Sequence, residues 1–321
     1  MRLARYVGGG RVEIVDEPKP ECPPGGLLVR TLACGLCSGE LMQWYMDGKM
    51  PHVLGHEVCG EVVESQDESF PVATRVFAHH HAPCMQCERC RSGRHVHCKR
   101  WKRTRLDPGG MAEFFAAGTE NLTDTMRVND LRPIDAALIE PLACVAKSLR
   151  QAGIGAEMSA KVAVIGLGSM GLMHLLVLPR AAVGYELLLA RREWATGLGL
   201  QARPPESPEE ADVVIVCPGS RAALDLALKM VSAGGTVALF APFPPGCSVE
   251  LDLNQAYFRD LRLVTSYSCG PEDTAKAADW VRRGVVRAEQ VVSDFIALKE
   301  LPAAYQAMRA GEILKAMVVF S

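Results

Sequence analysis

The chain has 321 residues, a formal net charge of -2 and 12 cysteines. This length suits roughly two domains, and the charge gives no electrostatic basis for binding nucleic acid or anionic lipid. Two arginines near the N-terminus are not followed by an apolar stretch, and no run approaches about twenty apolar residues, so we expect neither a signal peptide nor a membrane-spanning helix. Many cysteines without a signal peptide are typical of metal ligands and buried thiols in a reducing compartment, which predicts a cytoplasmic location.

The first region, residues 1–142, consists of short β-rich segments broken by proline and glycine turns. Leu27–Leu32 and Val58–Val63 are two such segments, rich in the residues that strands favour. This pattern predicts a compact, mostly β domain.

Two residues of this region, Cys37 and His56, are predicted ligands of a catalytic zinc, and each follows a glycine within a short turn. A catalytic zinc takes about three protein ligands and keeps one position open. The third ligand should be a carboxylate or a thiolate. Glu57 adjoins His56, whereas Glu140 stands where the β-rich pattern ends, which is where we expect the substrate. Two thiols are weaker candidates: Cys34 and Cys144.

Four cysteines in one short run, Cys84-x2-Cys87-x2-Cys90-x7-Cys98, have the spacing of a zinc site. Four thiolates complete a tetrahedral shell and leave no position open for chemistry. The run therefore predicts a structural zinc lobe. The alternative is a disulfide pair or a chance density of cysteines.

The second region, residues 143–268, alternates apolar segments with helical stretches, which indicates a parallel sheet covered on both faces and hence an α/β domain. The predicted strands are Lys161–Ile165, Glu186–Ala190, Ala211–Val216 and Gly235–Phe240. Residues 269–321 contain a helical stretch, at about 275–284, and a last strand, Ala316–Phe320. We expect this tail to return to the first domain.

A glycine fingerprint, Gly166-x-Gly168-x-x-Gly171, follows the first of these strands and precedes a helical stretch. Glycines at this place allow a tight turn and the close approach of a pyrophosphate, which backbone N–H groups at the helix N-terminus then bind. Ser169 and Met170 complete the predicted cofactor-binding turn. The alternative is an ordinary turn between a strand and a helix.

The end of the predicted second strand offers Arg191 and Arg192 and no carboxylate. An acidic residue at this place would bind the ribose of NAD, whereas arginines suit a ribose 2′-phosphate. The sequence therefore favours NADP(H) over NAD(H). The alternative is that both arginines are solvated at the start of a helix.

Taken together, and in this order along the chain, these motifs resemble the zinc-containing medium-chain alcohol dehydrogenase family, in its polyol, threonine and secondary-alcohol branch. The resemblance implies a GroES-like catalytic domain, a doubly wound Rossmann cofactor domain and a C-terminal return. It implies two zinc ions per subunit, with Cys37, His56 and Glu140 around the catalytic ion and Glu57 close enough to move onto it. It also implies a homodimer or homotetramer.

The chain departs from this family where proton transfer is expected. Gly39 and Met42 stand where a hydroxyl residue and a histidine are usual, so Ser38 is the predicted substitute for the hydroxyl. His81 stands where threonine dehydrogenases carry an active-site histidine. It ends a run of three histidines, 79–81, whose alternative role is a hydrogen-bonded strand end.

The predicted activity is hydride transfer between a nicotinamide cofactor and a small secondary alcohol or ketone, with zinc polarising the substrate oxygen. The expected substrate is a polyol, a sugar-derived alcohol or an amino alcohol. Three alternatives remain: an L-threonine dehydrogenase, a reductase of imines or activated double bonds, and a non-catalytic zinc-stabilised nucleotide-binding protein.

Overall fold

A computed structural model of the protein describes residues 1–155 and 160–321. The chain divides into two compact units. The first contains Met1–Ala143 and Cys269–Ser321, and the second contains Cys144–Ser268. The boundaries expected from the sequence lie at residues 142/143 and 268/269.

In the part of the chain that the structure describes, the strands are β1 (Arg2–Gly8), β2 (Arg11–Asp16), β3 (Leu27–Gly35), β4 (His52–Val53), β5 (Glu57–Ser65), β6 (Arg75–Ala78), β7 (Leu106–Asp107), β8 (Phe114–Ala117), β9 (Thr125–Arg127), β10 (Val162–Ile165), β11 (Val183–Tyr185), β12 (Gln201–Arg203), β13 (Ala211–Val216), β14 (Val231–Leu239), β15 (Arg262–Thr265), β16 (Asp294–Ile296) and β17 (Ala316–Val319).

The helices are α1 (Gln43–Met46), α2 (Glu88–Arg91), α3 (Pro133–Ala136), α4 (Ile139–Gln151), α5 (Ser169–Val177), α6 (Leu189–Gly197), α7 (Arg221–Met230), α8 (Leu253–Phe258), α9 (Pro271–Arg282), α10 (Ala288–Val291) and α11 (Leu301–Ala310). Short 3-10 helices cover Ser38–Leu41, Asp47–Lys49, His95–His97, Asn121–Asp124 and Leu298–Glu300. None of the described helices is long and apolar enough to cross a membrane.

The first unit is built around the antiparallel pair β3 and β5, at the centre of a sheet with the order β16-β17-β3-β5-β6-β9. Alternate apolar residues of the two strands, such as Val29, Val58 and Val62, are fully buried in one core cluster. The last strand, β17, pairs antiparallel with the end of β3. The C-terminal segment therefore belongs to this unit and lies beside the end of β3.

The second unit holds a six-stranded parallel sheet with the order β12-β11-β10-β13-β14-β15. In chain order this is 3-2-1-4-5-6, the order of doubly wound dinucleotide-binding sheets. The predicted α/β class is confirmed. The chain reverses its direction of winding between β10 and β13, and ligands of such sheets bind at the carboxyl ends of the strands at this point.

The predicted second strand, residues 186–190, is wrong. The strand is β11, which ends at Tyr185, and α6 begins at Leu189. A run of three leucines suggested a buried strand, yet Leu187 is 74% exposed. The buried segment contains Gly184 instead, because a Cβ there would collide with Leu167 and Leu175. Close packing of β11 against Leu167 and Leu175 therefore requires a glycine. The glycine makes the strand less apolar in sequence, so it was harder to recognise.

Candidate metal centres and cofactor turn

Three side chains in the first unit can hold one metal ion. The Cys37 sulfur, a His56 ring nitrogen and a Glu57 carboxylate oxygen lie within 4.8 Å of one another. The pairing of β3 with β5 explains this, since Gly35 at the end of β3 pairs with Glu57 at the start of β5. The donor set of one thiolate, one imidazole and one carboxylate is one that zinc takes in catalytic sites.

Glu40 is a buried carboxylate beside this group. It accepts a hydrogen bond from Gly55 N at 2.7 Å and from Cys37 N at 3.3 Å, and its Oε1 lies 3.3 Å from His56 Nδ1. Burial alone would raise the pKa of Glu40, but the charge of His56 and these hydrogen bonds lower it to about 2. Glu40 therefore orients the imidazole and both turns that carry the ligands.

His56 has a pKa raised well above its ordinary value: burial lowers it, but Cys37 and Glu40 outweigh that effect. Without a metal the site therefore favours the protonated imidazole. A metal ion binds the neutral ring, so binding must release this proton.

Glu57 forms a buried ion pair with Lys315, the residue before β17. Lys315 Nζ lies 2.6 Å from Glu57 Oε2 and donates to Leu36 O at 2.9 Å. Burial lowers the pKa of Lys315, yet the charge of Glu57 raises it overall. Glu57 Oε1 is buried and has no hydrogen-bond partner among the described residues. A free carboxylate oxygen beside a thiol and an imidazole fits a metal ion.

Glu140, the other predicted carboxylate ligand, is buried near the start of α4. The structure groups it with two residues that the sequence did not single out as ligands, His79 and Cys269. Burial raises the pKa of Glu140 above its ordinary value. The charges of His56 and Glu57 also act on the pKa of Glu140, and its role as a ligand of the catalytic zinc stays a prediction.

The residues predicted to move a proton occupy two places. Ser38 is exposed at the start of the 3-10 helix that Cys37 caps. His81 is half-buried, and His80 stands between it and His56, with ring centroids separated by 4.0 Å and 4.8 Å. Burial lowers the pKa of His81 to about 3. A Cβ on Gly39 would meet only Cys37 Sγ, at 3.5 Å, among the described atoms, so space does not account for the missing hydroxyl.

The four cysteines of the predicted lobe come together. Cys90 Sγ lies 3.9 Å from Cys84 Sγ and 3.5 Å from Cys87 Sγ. Sulfurs of a tetrahedral zinc site with Zn–S bonds of about 2.3 Å are about 3.8 Å apart. Backbone N–H groups lower the pKa of the Cys84 thiol to about 6, which favours the thiolate that binds metal. The geometry therefore suits a closed, structural zinc site.

The glycine turn follows β10 and leads into α5, as the sequence predicts. Gly166 adopts a φ of +86°, and a Cβ on Gly171 would collide with Gly166 O. Ser169 and Met170 form the first turn of α5, where backbone N–H groups are free to bind a phosphate. The local structure thus matches the strand, turn and helix of a dinucleotide site.

Glu186 is the carboxylate that the sequence analysis judged to be missing, and that judgement is wrong. It directly follows β11, and its oxygens accept hydrogen bonds from Leu167 N at 2.8 Å and Leu188 N at 3.0 Å. Arg191 Nη1 lies 3.8 Å from Glu186 Oε2. Arg192 donates to the backbone oxygens of Glu186 and Leu187, both at 2.7 Å. The misplaced strand end caused the error.

His174 in α5 leads to a prediction about pH. The residue is fully buried, and burial lowers its pKa to about 4. The unfolded chain, with an ordinary pKa near 6.5, therefore binds more protons between these two values, so stability should fall as pH drops through this window. A shift of about 2.5 units corresponds to about 3 kcal/mol. His174→Gln should abolish most of this acid sensitivity in urea unfolding at pH 7 and pH 4.5.

The matched control is His97→Gln, because His97 is exposed. It should leave the pH dependence of unfolding unchanged. Equal acid sensitivity in the His174 variant and the parent protein would contradict the prediction.

Sequence reasoning missed three residues of these sites. Glu40 stands three residues after Cys37, a spacing at which a helix-capping carboxylate is common. Lys315 is a single charge directly before an apolar terminal strand, which signals a buried partner. Cys269 had no local signal, because its partners lie far away in the chain.

Three comparisons show which known proteins this chain resembles. The family model of the alcohol dehydrogenase GroES-like domain matches residues 23–127. D-altritol 5-dehydrogenase of Agrobacterium fabrum is 31% identical over 84% of this chain and 84% of that protein. L-threonine 3-dehydrogenase of Rhizobium rhizogenes is 25% identical over 92% of this chain and 91% of that protein. A zinc-binding dehydrogenase of Sinorhizobium meliloti, solved bound to NADP, has a TM-score of 0.87 and 26% identity over 99% of both chains.

Proposed function

The chain belongs to the zinc-containing medium-chain alcohol dehydrogenases, and we propose that it oxidises a secondary alcohol of a polyol or sugar-derived substrate, or reduces the matching ketone. The group of Cys37, His56 and Glu57 carries this proposal, because it offers three donors of a catalytic zinc site within 4.8 Å. The similarity to a D-altritol dehydrogenase supports the substrate class.

The protein residues have separate tasks in this reaction. Cys37, His56 and Glu57 would hold the zinc, which supplies a Lewis acid that polarises the oxygen of an alcohol or a carbonyl. Glu40 fixes the imidazole and Lys315 fixes one oxygen of Glu57. The hydroxyl proton must leave by a route without a side-chain hydroxyl at Gly39, and Ser38 and His81 remain the predicted carriers.

A substrate screen tests the proposed function. The purified enzyme is assayed with both nicotinamide cofactors against five- and six-carbon polyols, sugar acids, L-threonine and simple secondary alcohols. We expect turnover with a polyhydroxylated secondary alcohol, and its loss in His56→Ala. His97→Ala, which changes an exposed histidine, should retain turnover. Reaction with L-threonine alone would contradict the polyol assignment and favour the threonine dehydrogenase activity that the second relative carries.

We propose NADP(H) as the preferred cofactor. Two observations support this preference: Arg191 lies close to the glycine turn, with a guanidinium nitrogen 4.0 Å from a Cβ placed on Gly168, and a similar protein binds NADP. Glu186 would repel a 2′-phosphate, but both of its oxygens already accept backbone N–H groups. Arg191 also lies near enough to offset that charge.

Removing the Arg191 guanidinium should reverse the cofactor preference. Arg191→Ala is expected to raise KM for NADP(H) about 10-fold or more, since a charge-assisted contact to phosphate contributes about 1.5–3 kcal/mol. KM for NAD(H) should change little. Initial rates with both cofactors measure this, and Arg180→Ala, a substitution elsewhere in the second unit, is the control. A parent enzyme that prefers NAD(H) would overturn the proposal.

We also propose a homodimer or homotetramer. Leu253, Tyr257 and Phe258 of α8 are each more than 70% exposed, and β15 is an edge strand of the parallel sheet. Exposed apolar patches beside an open sheet edge are typical of interfaces. A monomer in sedimentation velocity at micromolar concentration would contradict this assembly.

A further inference from the structure

A basic segment follows the zinc lobe in the first unit. Residues 99–105 contain five cations and no carboxylate: Lys99, Arg100, Lys102, Arg103 and Arg105. Arg100 pairs with Glu120 at 3.1 Å, whereas the other four form no ion pair with any residue that the structure describes. A local excess of positive charge attracts anions from solution.

Arg105 is connected to the metal group of Cys37, His56 and Glu57 by a row of histidine rings. Its Nη1 lies 3.5 Å from His81 Nδ1. His81 packs on His80 and His80 on His56, with ring centroids 4.0 Å and 4.8 Å apart. The guanidinium therefore lies three rings along from the predicted zinc ligand His56.

The guanidinium of Arg105 is held on one side and open on the other. Nη1 donates to Thr104 O at 2.6 Å and to Lys102 O at 2.9 Å. Nε and Nη2 make no hydrogen bond with any described residue, and the side chain is exposed. These two N–H groups form one edge of the planar fork, which matches two oxygens of a carboxylate or a phosphate.

Lys49 is a second cation on this side of the metal group. Its Nζ lies 3.8 Å from the centroid of the Tyr45 ring, a contact that holds the ammonium without neutralising its charge. Burial lowers the pKa of His52, and the charges of Lys49, His56 and Arg105 lower it further. Both cations therefore lie near one residue that also senses the metal group.

We propose that Arg105 and Lys49 form an anion subsite, which binds a terminal carboxylate or phosphate of the substrate while its secondary alcohol lies at the metal group. This inference rests on the proposed dehydrogenase function and narrows its substrate class to polyhydroxylated acids and polyol phosphates. The same two charges repel an ammonium group, so they disfavour an amino alcohol.

Matched substrates test the anion subsite. Each six-carbon polyol is compared with the sugar acid and the polyol phosphate of the same configuration, by initial rates and by calorimetric titration of zinc-loaded enzyme. We expect one anionic member to have a KM and a Kd about 10-fold or more below those of the neutral polyol, because a charge-assisted contact is strong. The member that binds more tightly decides between carboxylate and phosphate.

Variants then assign this preference to named side chains. Arg105→Ala should raise KM and Kd for the anionic substrate about 10-fold or more, with little change in kcat or in the values for the neutral polyol. Lys49→Met should have a smaller effect, because lysine makes no bidentate contact. Arg103→Ala is the matched control: it removes an exposed arginine of the same segment and should change none of these values.

The outcomes separate this subsite from the proposed function. Neutral polyols that bind as tightly as their anionic counterparts, or equal effects of Arg105→Ala and Arg103→Ala, would overturn the anion subsite. Turnover of neutral polyols would in that case still support the proposed function. Tight binding of an anionic member without turnover of any alcohol would count against the proposed function and leave the subsite in place.

Discussion

Lys315→Met is expected to destabilise the first unit by about 3–5 kcal/mol, the cost of leaving one charge of a buried pair without its partner. Both side chains of the Lys315 and Glu57 pair are about 1% exposed. Methionine retains most of the volume of lysine, so the lost charge and the lost hydrogen bond to Leu36 O account for the effect. Urea unfolding of the chelator-treated protein at pH 7 measures it.

Two further variants isolate the pair from the packing around it. Lys315→Met/Glu57→Gln removes both charges and should recover a large part of the loss, because no buried ion is left. Lys19→Met is the control: its partner Glu64 lies 3.4 Å away, and both side chains are about half exposed, so about 1 kcal/mol or less is expected. Equal losses in Lys315→Met and Lys19→Met would refute the argument.

The pH dependence of this pair has a definite sign. The folded-state pKa of Lys315 is raised, so the folded chain holds this proton more tightly than the unfolded one. The stabilisation is therefore complete at neutral pH and is lost only as pH rises through the raised value. The parent protein should therefore lose stability more steeply above the ordinary lysine pKa of 10.5 than Lys315→Met/Glu57→Gln, which has no such pair to titrate.

Sites whose ligands are close in sequence could be predicted from the sequence. The four cysteines of the lobe lie within a short run of the sequence, and their sulfur atoms lie within 4.8 Å of one another in the structure. The glycine turn likewise depends on three nearby residues. In both cases chemistry fixes the spacing, because a zinc tetrahedron and a pyrophosphate each admit few arrangements of the chain.

Contacts between distant segments could not be predicted in this way. Lys315 and Glu57 meet because β17 pairs with β3, and β3 pairs with β5. Cys269 and His79 are 190 residues apart. No local pattern encodes such a partner; a lone lysine or cysteine in an apolar stretch signals only that some partner exists.

In the cofactor site, one misplaced strand end led to a second error about the carboxylate. The predicted second strand includes the exposed leucines 187–189 and ends directly before Arg191. The strand in fact ends at Tyr185, so the residue after it is the carboxylate Glu186. A run of large apolar residues normally marks a buried strand, but here a glycine-containing segment is the buried one. Gly184 has no side chain, and this leaves the space in which Leu167 and Leu175 pack against the strand.

Glu40→Ala is expected to weaken zinc binding at the catalytic group about 10–100-fold, the usual effect of removing a residue that orients a ligand. Glu40 contacts His56 and accepts backbone hydrogen bonds from both ligand-bearing turns. Its loss frees the imidazole to rotate and leaves Gly55 N unsatisfied. Chelator-treated enzyme is titrated with zinc, and the midpoint of recovered turnover is compared with that of the parent.

Glu40→Gln separates charge from geometry. The amide oxygen can still accept from Gly55 N, so the fold should be nearly intact, while the negative charge beside His56 is gone. Because that charge raises the pKa of His56, Glu40→Gln should let the imidazole lose its proton at lower pH. The zinc midpoint should then depend less steeply on pH between 6 and 8 than in the parent enzyme. Glu61→Gln, which alters a partly exposed pair with Arg30, should change neither the midpoint nor its slope. An unchanged midpoint in Glu40→Ala would show that the imidazole is held by other contacts.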